Sequence, residues 1–108
     1  MKISAIDTGS NSVRLLVWAD GRSLYKKIDT TRLGEGLAAT GRLSSAAMER
    51  TAEAIARFAE EAREAGSDKL YVFATAAARR AANGGEFVRL VKEKCGLDVD
   101  VVSGEEEA

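Results

Sequence analysis

The stretch Ile3-Ser4-Ala5-Ile6-Asp7-Thr8-Gly9-Ser10-Asn11-Ser12-Val13-Arg14-Leu15-Leu16-Val17 constrains the fold of this chain more than any other. It predicts two apolar strands, residues 2–7 and 13–19, joined by a turn of small polar residues with a carboxylate at its mouth. Strands rich in Ile, Val and Leu and apolar on both faces suit the centre of a covered sheet. Asp20-Gly21 then carries a tight hairpin signal, and residues 23–28 read as a third strand. Leu24, Lys26 and Ile28 fall on one face of that strand and Tyr25 and Lys27 on the other. Three strands joined in succession by short turns make an antiparallel meander.

Residues 29–43 hold Asp29, Thr30, Thr31, three glycines and Thr40, and read as a loop. From Ser44, a good N-cap, to Gly66, a good C-terminal stop, the pattern is helical. Met48, Ala52, Ile55, Ala59 and Ala62 recur at gaps of four and three, and Phe58 widens the stripe. Residues 69–74 form a strand, and residues 75–82, rich in Ala and Arg, one or two helical turns. Asn83-Gly84-Gly85 breaks that segment. Residues 86–95 give a further helix, with Phe87, Val88, Leu90 and Val91 inward before the Gly96 cap, and residues 99–102 a last strand. Ser103-Gly104 reads as a strand-to-helix turn. The order β-β-β-α-β-α-β predicts one α/β domain with a mixed five-stranded sheet and helices packed on it.

The formal charge of −1, from 16 basic against 17 acidic residues, gives no positive excess for a nucleic-acid or membrane-surface partner. A polyanion must be met locally, by a few placed Arg and N–H groups. No apolar run approaches the roughly 20 residues that span a bilayer, and Met-Lys-Ile-Ser runs straight into a strand, so a cytoplasmic location is expected. The single cysteine, Cys95, lies on the apolar side of its helix and reads as a small buried hydrophobe. With no histidine, the chain has no His-based triad, His general base or ordinary zinc site of its own.

Four clusters carry chemistry. In the turn after the first strand, Gly9 admits close approach of a ligand, and neighbouring N–H groups and the hydroxyls of Thr8, Ser10 and Ser12 can point into one concavity. Asp7 would place a charge where a hydrated divalent metal bridges protein and phosphate. The same residues equally favour an ordinary hairpin turn. Thr75 and Arg79 follow a strand, where open α/β sheets present ligands, and Arg79 is either a bidentate phosphate contact or part of a solvated face with Arg80. Glu105, Glu106 and Glu107 are either helix-capping charge or a source of a water-orienting carboxylate. Arg32 and Glu35, between glycines, either line a cleft or sit on a surface loop.

Together these clusters resemble a known family. Asp7-x-Gly9-Ser10-Asn11-Ser12 with Arg14, then Thr31-Arg32-Leu33-Gly34-Glu35-Gly36-Leu37, then Ala74-Thr75-x-x-x-Arg79-x-Ala81-x-Asn83, then Ser103-Gly104-x-Glu106-Glu107-Ala108 look like the N-terminal part of the exopolyphosphatase and guanosine-pentaphosphate phosphohydrolase family. The resemblance runs over the whole chain. It implies a ribonuclease H-like half-domain of the actin, sugar-kinase and Hsp70 superfamily. It further implies release of terminal phosphate from inorganic polyphosphate, or of the 5′ γ-phosphate of guanosine pentaphosphate, with Mg²⁺ or another divalent cation. Asp7, Gly9, Ser10, Asn11 and Ser12 would then form the first phosphate loop, Arg79 and Arg32 would bind substrate phosphate, Asp7 would meet the metal, and Glu107 would activate water. A homodimeric parent protein is expected on the same ground.

Family members follow the Glu-Glu-Ala triplet with a second phosphate loop of the type Asp-x-Gly-Gly-Gly-Ser, which is not within residues 1–108. The expectation is an N-terminal subdomain cut before that loop and, alone, nearly devoid of hydrolase activity. Three rivals stand beside this reading. One is a phosphate-binding or self-associating module without catalysis. Another is a sugar or acetate kinase relative, which shares the first loop. The third is an aspartic protease, suggested by Asp7-Thr8-Gly9-Ser10 and opposed by the Ala-rich helical stripes.

Overall fold

The computed structural model describes residues 1–102. The meander forms as β1 (Lys2–Thr8), β2 (Val13–Ala19) and β3 (Arg22–Asp29). A four-residue helix, α1 (Leu37–Thr40), stands inside the segment expected to be a plain loop. It is framed by Gly36 at φ 79° and Gly41 at φ 73°, a left-handed geometry that glycine adopts without strain. There follow α2 (Ser45–Glu64), β4 (Lys69–Ala74), α3 (Ala76–Arg80), α4 (Gly84–Cys95) and β5 (Val99–Val101).

Local chemistry sets these bounds. Ser44 caps α2, its side chain accepting from the Ala47 N–H at 3.1 Å, and Gly66, at φ 81°, lets the chain turn away beyond its end. The expected stripe is buried: Met48, Ala52, Ile55, Phe58, Ala59 and Ala62 all face the core. The Asn83-Gly84-Gly85 stretch separates α3 from α4 as expected, but both glycines belong to α4. Gly84 stands there for a steric reason, because a Cβ on it would lie 2.0 Å from the Ala78 carbonyl oxygen.

The sheet runs β3-β2-β1-β4-β5, with β1 antiparallel to β2 and parallel to β4, and β4 parallel to β5. Both parallel connections step in the same direction across the sheet. Right-handed crossovers therefore put α2 and the α3–α4 pair on one face. There Ile6, Val13, Leu15, Val17, Val72, Ala74 and Val99 meet Leu33, Ile55, Phe58, Phe87 and Val91 in one core. Each large side chain fully buried in it contributes about 1.5–3 kcal/mol.

Among the described residues no helix covers the opposite face, so the expectation that β1 and β2 are covered on both sides holds for one side only. Ile3, Ala5, Leu16, Trp18, Tyr71 and Phe73 share the uncovered face by strand alternation, and Tyr71 stacks on Phe73 with ring centroids 6.2 Å apart. Tyr71 is 41% exposed and Ile28, on the same face of β3, 55%. Lys27 lies on the helical side, where it pairs with Glu61 of α2 at 2.6 Å. No described helix is long and apolar enough to cross a membrane.

Candidate functional site

Thr8, Ala74 and Val101 lie side by side in the parallel register, so β1, β4 and β5 all end at one edge of the sheet. The segments that leave them, residues 9–12, Thr75 and Val102, share that edge, where open α/β sheets hold ligands.

The turn between β1 and β2 is closed by a hydrogen bond from the Gly9 N–H to the Ser12 carbonyl at 3.0 Å. Two further carbonyls of the turn are taken by the segment after β3. The Arg32 N–H donates to the Asn11 carbonyl at 3.0 Å and the Gly34 N–H to the Ser10 carbonyl at 2.9 Å. Gly34 makes this approach possible, since a Cβ there would come within 3.2 Å of the Ser10 Cβ. The acceptors of Ser10, Asn11 and Ser12 are thus engaged inside the protein. Among the described residues nothing takes the N–H groups of Ser10 and Asn11, and both residues are exposed. Backbone donors without a partner, beside acceptors already engaged, are what an anion-binding turn requires.

Arg32 has φ 54°, a left-handed conformation that costs a non-glycine residue of order 1 kcal/mol. Its neighbours hold it there. Thr31 is buried, and its hydroxyl is bonded at 2.9 Å to that of Thr51, which is fully buried on α2 and also lies 2.8 Å from the Ala47 carbonyl. Arg50 donates from Nε to the Thr31 carbonyl at 3.0 Å and pairs through Nη2 with Glu35 at 2.8 Å. Ser10, Asn11, Arg32, Gly34 and Glu35 line a surface groove of about 320 Å³.

Asp7 opens onto the uncovered face instead. With Ala5, Leu16, Trp18, Phe73, Thr75 and Val102 it lines a recess of about 270 Å³. Arg79 reaches the same strand end, donating from Nη1 to the Val102 carbonyl at 2.7 Å. The structure therefore gathers the Gly9–Ser12 turn with Arg32, and Asp7 with Thr75 and with Val102, whose carbonyl Arg79 holds. It does not put Asp7 and Arg32 in one recess. Arg14 is directly opposite Asp7 in the β1–β2 register and is exposed. Glu106 and Glu107 lie outside the described residues.

Asn83, part of the third cluster, is occupied elsewhere. It is buried, its Oδ1 accepts from the Leu43 N–H at 2.7 Å, and its Nδ2 donates to the Leu43 carbonyl at 2.9 Å. It fastens the α1–α2 connection to the start of α4 and faces no recess at the strand ends. The parts that sequence reasoning missed are Arg50 and Thr51. The available signal was a threonine inside an otherwise apolar helical stripe.

No group of three or more Asp, Glu or Cys side chains capable of holding a metal forms among the described residues. Asp7, with hydroxyls nearby in sequence, is a hard oxygen donor of the kind magnesium takes singly, with water and substrate phosphate completing its shell. The donor set therefore fits an ion carried in with phosphate. The described residues form no cage for it by themselves.

The model of the Ppx/GppA phosphatase family matches residues 19–108. The chain belongs to the Ppx/GppA phosphatase family. Among solved structures it is similar to the Aquifex aeolicus family member, with 34% identity and a TM-score of 0.92 over 99% of this chain. The chain spans only 36% of that protein's length. An exopolyphosphatase from Cytophaga hutchinsonii shares the fold at a TM-score of 0.91 and 24% identity, over 99% of this chain and 36% of its own. A ROK hexokinase from Thermus thermophilus is more distant, with a TM-score of 0.57 and 25% identity over 95% of this chain and 34% of its own. The fold is thus that of the actin and sugar-kinase group, and within it the chain sides with the Ppx/GppA phosphatases. An aspartic-protease architecture is excluded by the mixed sheet and its helices.

Proposed function

We propose that this chain carries the first phosphate-gripping half of a phosphohydrolase that releases terminal phosphate from inorganic polyphosphate or the 5′ γ-phosphate from guanosine pentaphosphate. The observation that carries this reading is the turn of residues 9–12, in which the carbonyls of Ser10, Asn11 and Ser12 are taken by backbone N–H groups while the N–H groups of Ser10 and Asn11 have no partner among the described residues. Ser10 and Ser12 add hydroxyl donors, and Arg79 adds a guanidinium at the neighbouring strand end.

Attack of water on a phosphoanhydride asks for positioning and neutralisation of charge more than for covalent chemistry by the protein. The turn and Arg79 hold the terminal phosphoryl group with its oxygens against fixed donors, which need no reorganisation as charge shifts to the bridging oxygen. Arg32 holds phosphate from the adjoining groove. Glu107 takes the proton from the attacking water. A divalent cation, when bound beside Asp7, neutralises phosphate charge. The second loop and the rest of the clamp belong to the part of a family member that this chain does not span, so these residues alone turn over little substrate.

The test is an amide-resolved NMR titration of the 108-residue chain with inorganic phosphate. Saturable shifts concentrated at Gly9, Ser10 and Asn11 are expected. No shift, or a shift spread evenly over the surface, defeats the proposal. In a family member containing this segment, replacing the residue equivalent to Glu107 by Gln should lower phosphate release by about 10²–10⁴-fold, the usual share of a general base. Transfer of phosphate to a sugar, with no release to water, would favour the kinase reading instead.

A further inference from the structure

We propose that Arg50 on α2 is a positioning residue of the phosphate groove, acting through the segment that bears Arg32. The inference rests on the phosphate reading above. Two contacts of one guanidinium carry it. The Nε bond to the Thr31 carbonyl fixes the peptide immediately before Arg32, the residue held in the left-handed region. The Nη2 pair with Glu35 engages the only carboxylate among the described residues that line the groove.

A purely structural role explains these contacts poorly. Arg50 and Glu35 have side chains 44% and 59% exposed, and ion pairs in water at that exposure add little to folding stability. To an anion entering the groove the pair matters more. An uncompensated Glu35 would oppose the field of Arg32 and of the outward N–H groups, and the cancelling cation removes that opposition. The same helix supplies an internal comparison two turns on, where Arg57 pairs with Asp29 at the end of β3. That pair also ties α2 to the meander, yet neither residue lines the groove.

The test measures affinity of the 108-residue chain for inorganic phosphate and for pyrophosphate, read from the Ser10 and Asn11 amides, alongside thermal unfolding. Arg50→Gln should weaken anion affinity roughly three- to tenfold, the size of one exposed charge term. The double variant Arg50→Gln/Glu35→Gln should regain only the part of that loss that comes from the uncompensated Glu35 charge and keep the part that comes from the lost Nε bond to Thr31. Arg57→Gln should leave affinity as it was. Unchanged affinity in Arg50→Gln, full recovery in the double variant, or an equal loss in Arg57→Gln each overturns the positioning role. If Arg50→Gln does not fold, Arg50→Lys decides: it keeps the charge but lacks the planar fork that reaches both Thr31 and Glu35, so it should weaken phosphate binding, and unchanged affinity overturns the proposal. A wild-type chain with no phosphate response overturns both this inference and the reading beneath it, whereas a responsive wild type with an indifferent Arg50→Gln overturns this one alone.

Discussion

Asn83 and Leu43 are hydrogen-bonded in both directions, the side-chain amide of one closing a ring with the backbone N–H and carbonyl of the other at 2.7 and 2.9 Å. A side-chain amide is the one group that supplies both partners at that spacing. The contact is 40 residues long in sequence and buried, so it binds the connection before α2 to the start of α4.

Removing it should act on stability and leave the anion-binding turn intact. Asn83→Ala orphans two backbone groups, at a cost of about 1–3 kcal/mol. Asn83→Asp is expected to be worse at neutral pH, because a carboxylate oxygen then faces the Leu43 carbonyl with no proton between them. Urea denaturation of the two variants checks the order, and an unchanged phosphate response at Ser10 checks the separation from the site. An Asn83→Asp variant as stable as wild type would show that the ring is not closed in solution.

The adjacent glycines Gly84 and Gly85 should respond in opposite ways to the same substitution. A Cβ on Gly84 meets the Ala78 carbonyl oxygen at 2.0 Å, a clash with backbone that only separation of α3 from α4 relieves. A Cβ on Gly85 meets nothing within 4 Å, and alanine is the better helix former. Gly84→Ala is expected to lose cooperative unfolding or to melt far below wild type. Gly85→Ala is expected to gain about 0.5 kcal/mol. Thermal melts by circular dichroism of the pair decide it.

Those two positions also show where the sequence was legible. The meander, the long helix and the helix-strand remainder could be read because each rests on local signals: short runs rich in Ile, Val and Leu in β1 and β2, Asp20-Gly21 at the hairpin, and Ser44 and Gly66 around α2. Asn83-Gly84-Gly85 was legible as a break and not as a helix start, because what selects Gly84 is a carbonyl from a different helix. The four residues of α1 are too few to show a period, and two glycine caps define them. At the site, the Gly9–Ser12 turn announced itself by composition. The inward spending of its carbonyls did not, since the partners are N–H groups more than 20 residues away on Arg32 and Gly34. Arg50 could not be singled out among the exposed charges of α2 for the same reason.

Cys95 gives a pH-dependent expectation. Burial pushes its thiol above the ordinary value, with Lys94 and Arg63 pulling more weakly the other way. Because the folded state holds the proton more tightly than the unfolded chain, deprotonation above the ordinary thiol range favours unfolding. Stability from this group is constant at neutral pH and falls as pH rises from the ordinary thiol value toward the folded one. Alkylation by iodoacetamide at pH 8 should accordingly be slower than for an unfolded control, with the gap closing in denaturant. Cys95 is half-buried, less than the buried hydrophobe the sequence predicts, and equal rates in the folded and unfolded protein would contradict even that partial cover.

The Thr51–Thr31 pair should be strongly coupled, and a double-mutant cycle measures it. The two hydroxyls lie 2.9 Å apart with almost no solvent access, and Thr51 has a second partner in the Ala47 carbonyl whereas Thr31 relies on Thr51. Thr51→Val keeps the shape but leaves the Thr31 hydroxyl without a partner, which should cost about 1–3 kcal/mol. Thr31→Val leaves Thr51 with its bond to Ala47 and should cost less. In the double variant both polar groups are gone and the methyls pack in their place, so the total loss should fall short of the sum of the singles by at least about 0.5 kcal/mol. Additivity within error would mean that the hydroxyls do not recognise each other. The same variants speak to the site, since Thr31 precedes Arg32: if the pair holds the left-handed residue in place, the Arg32 amide should broaden or shift in Thr51→Val even before phosphate is added.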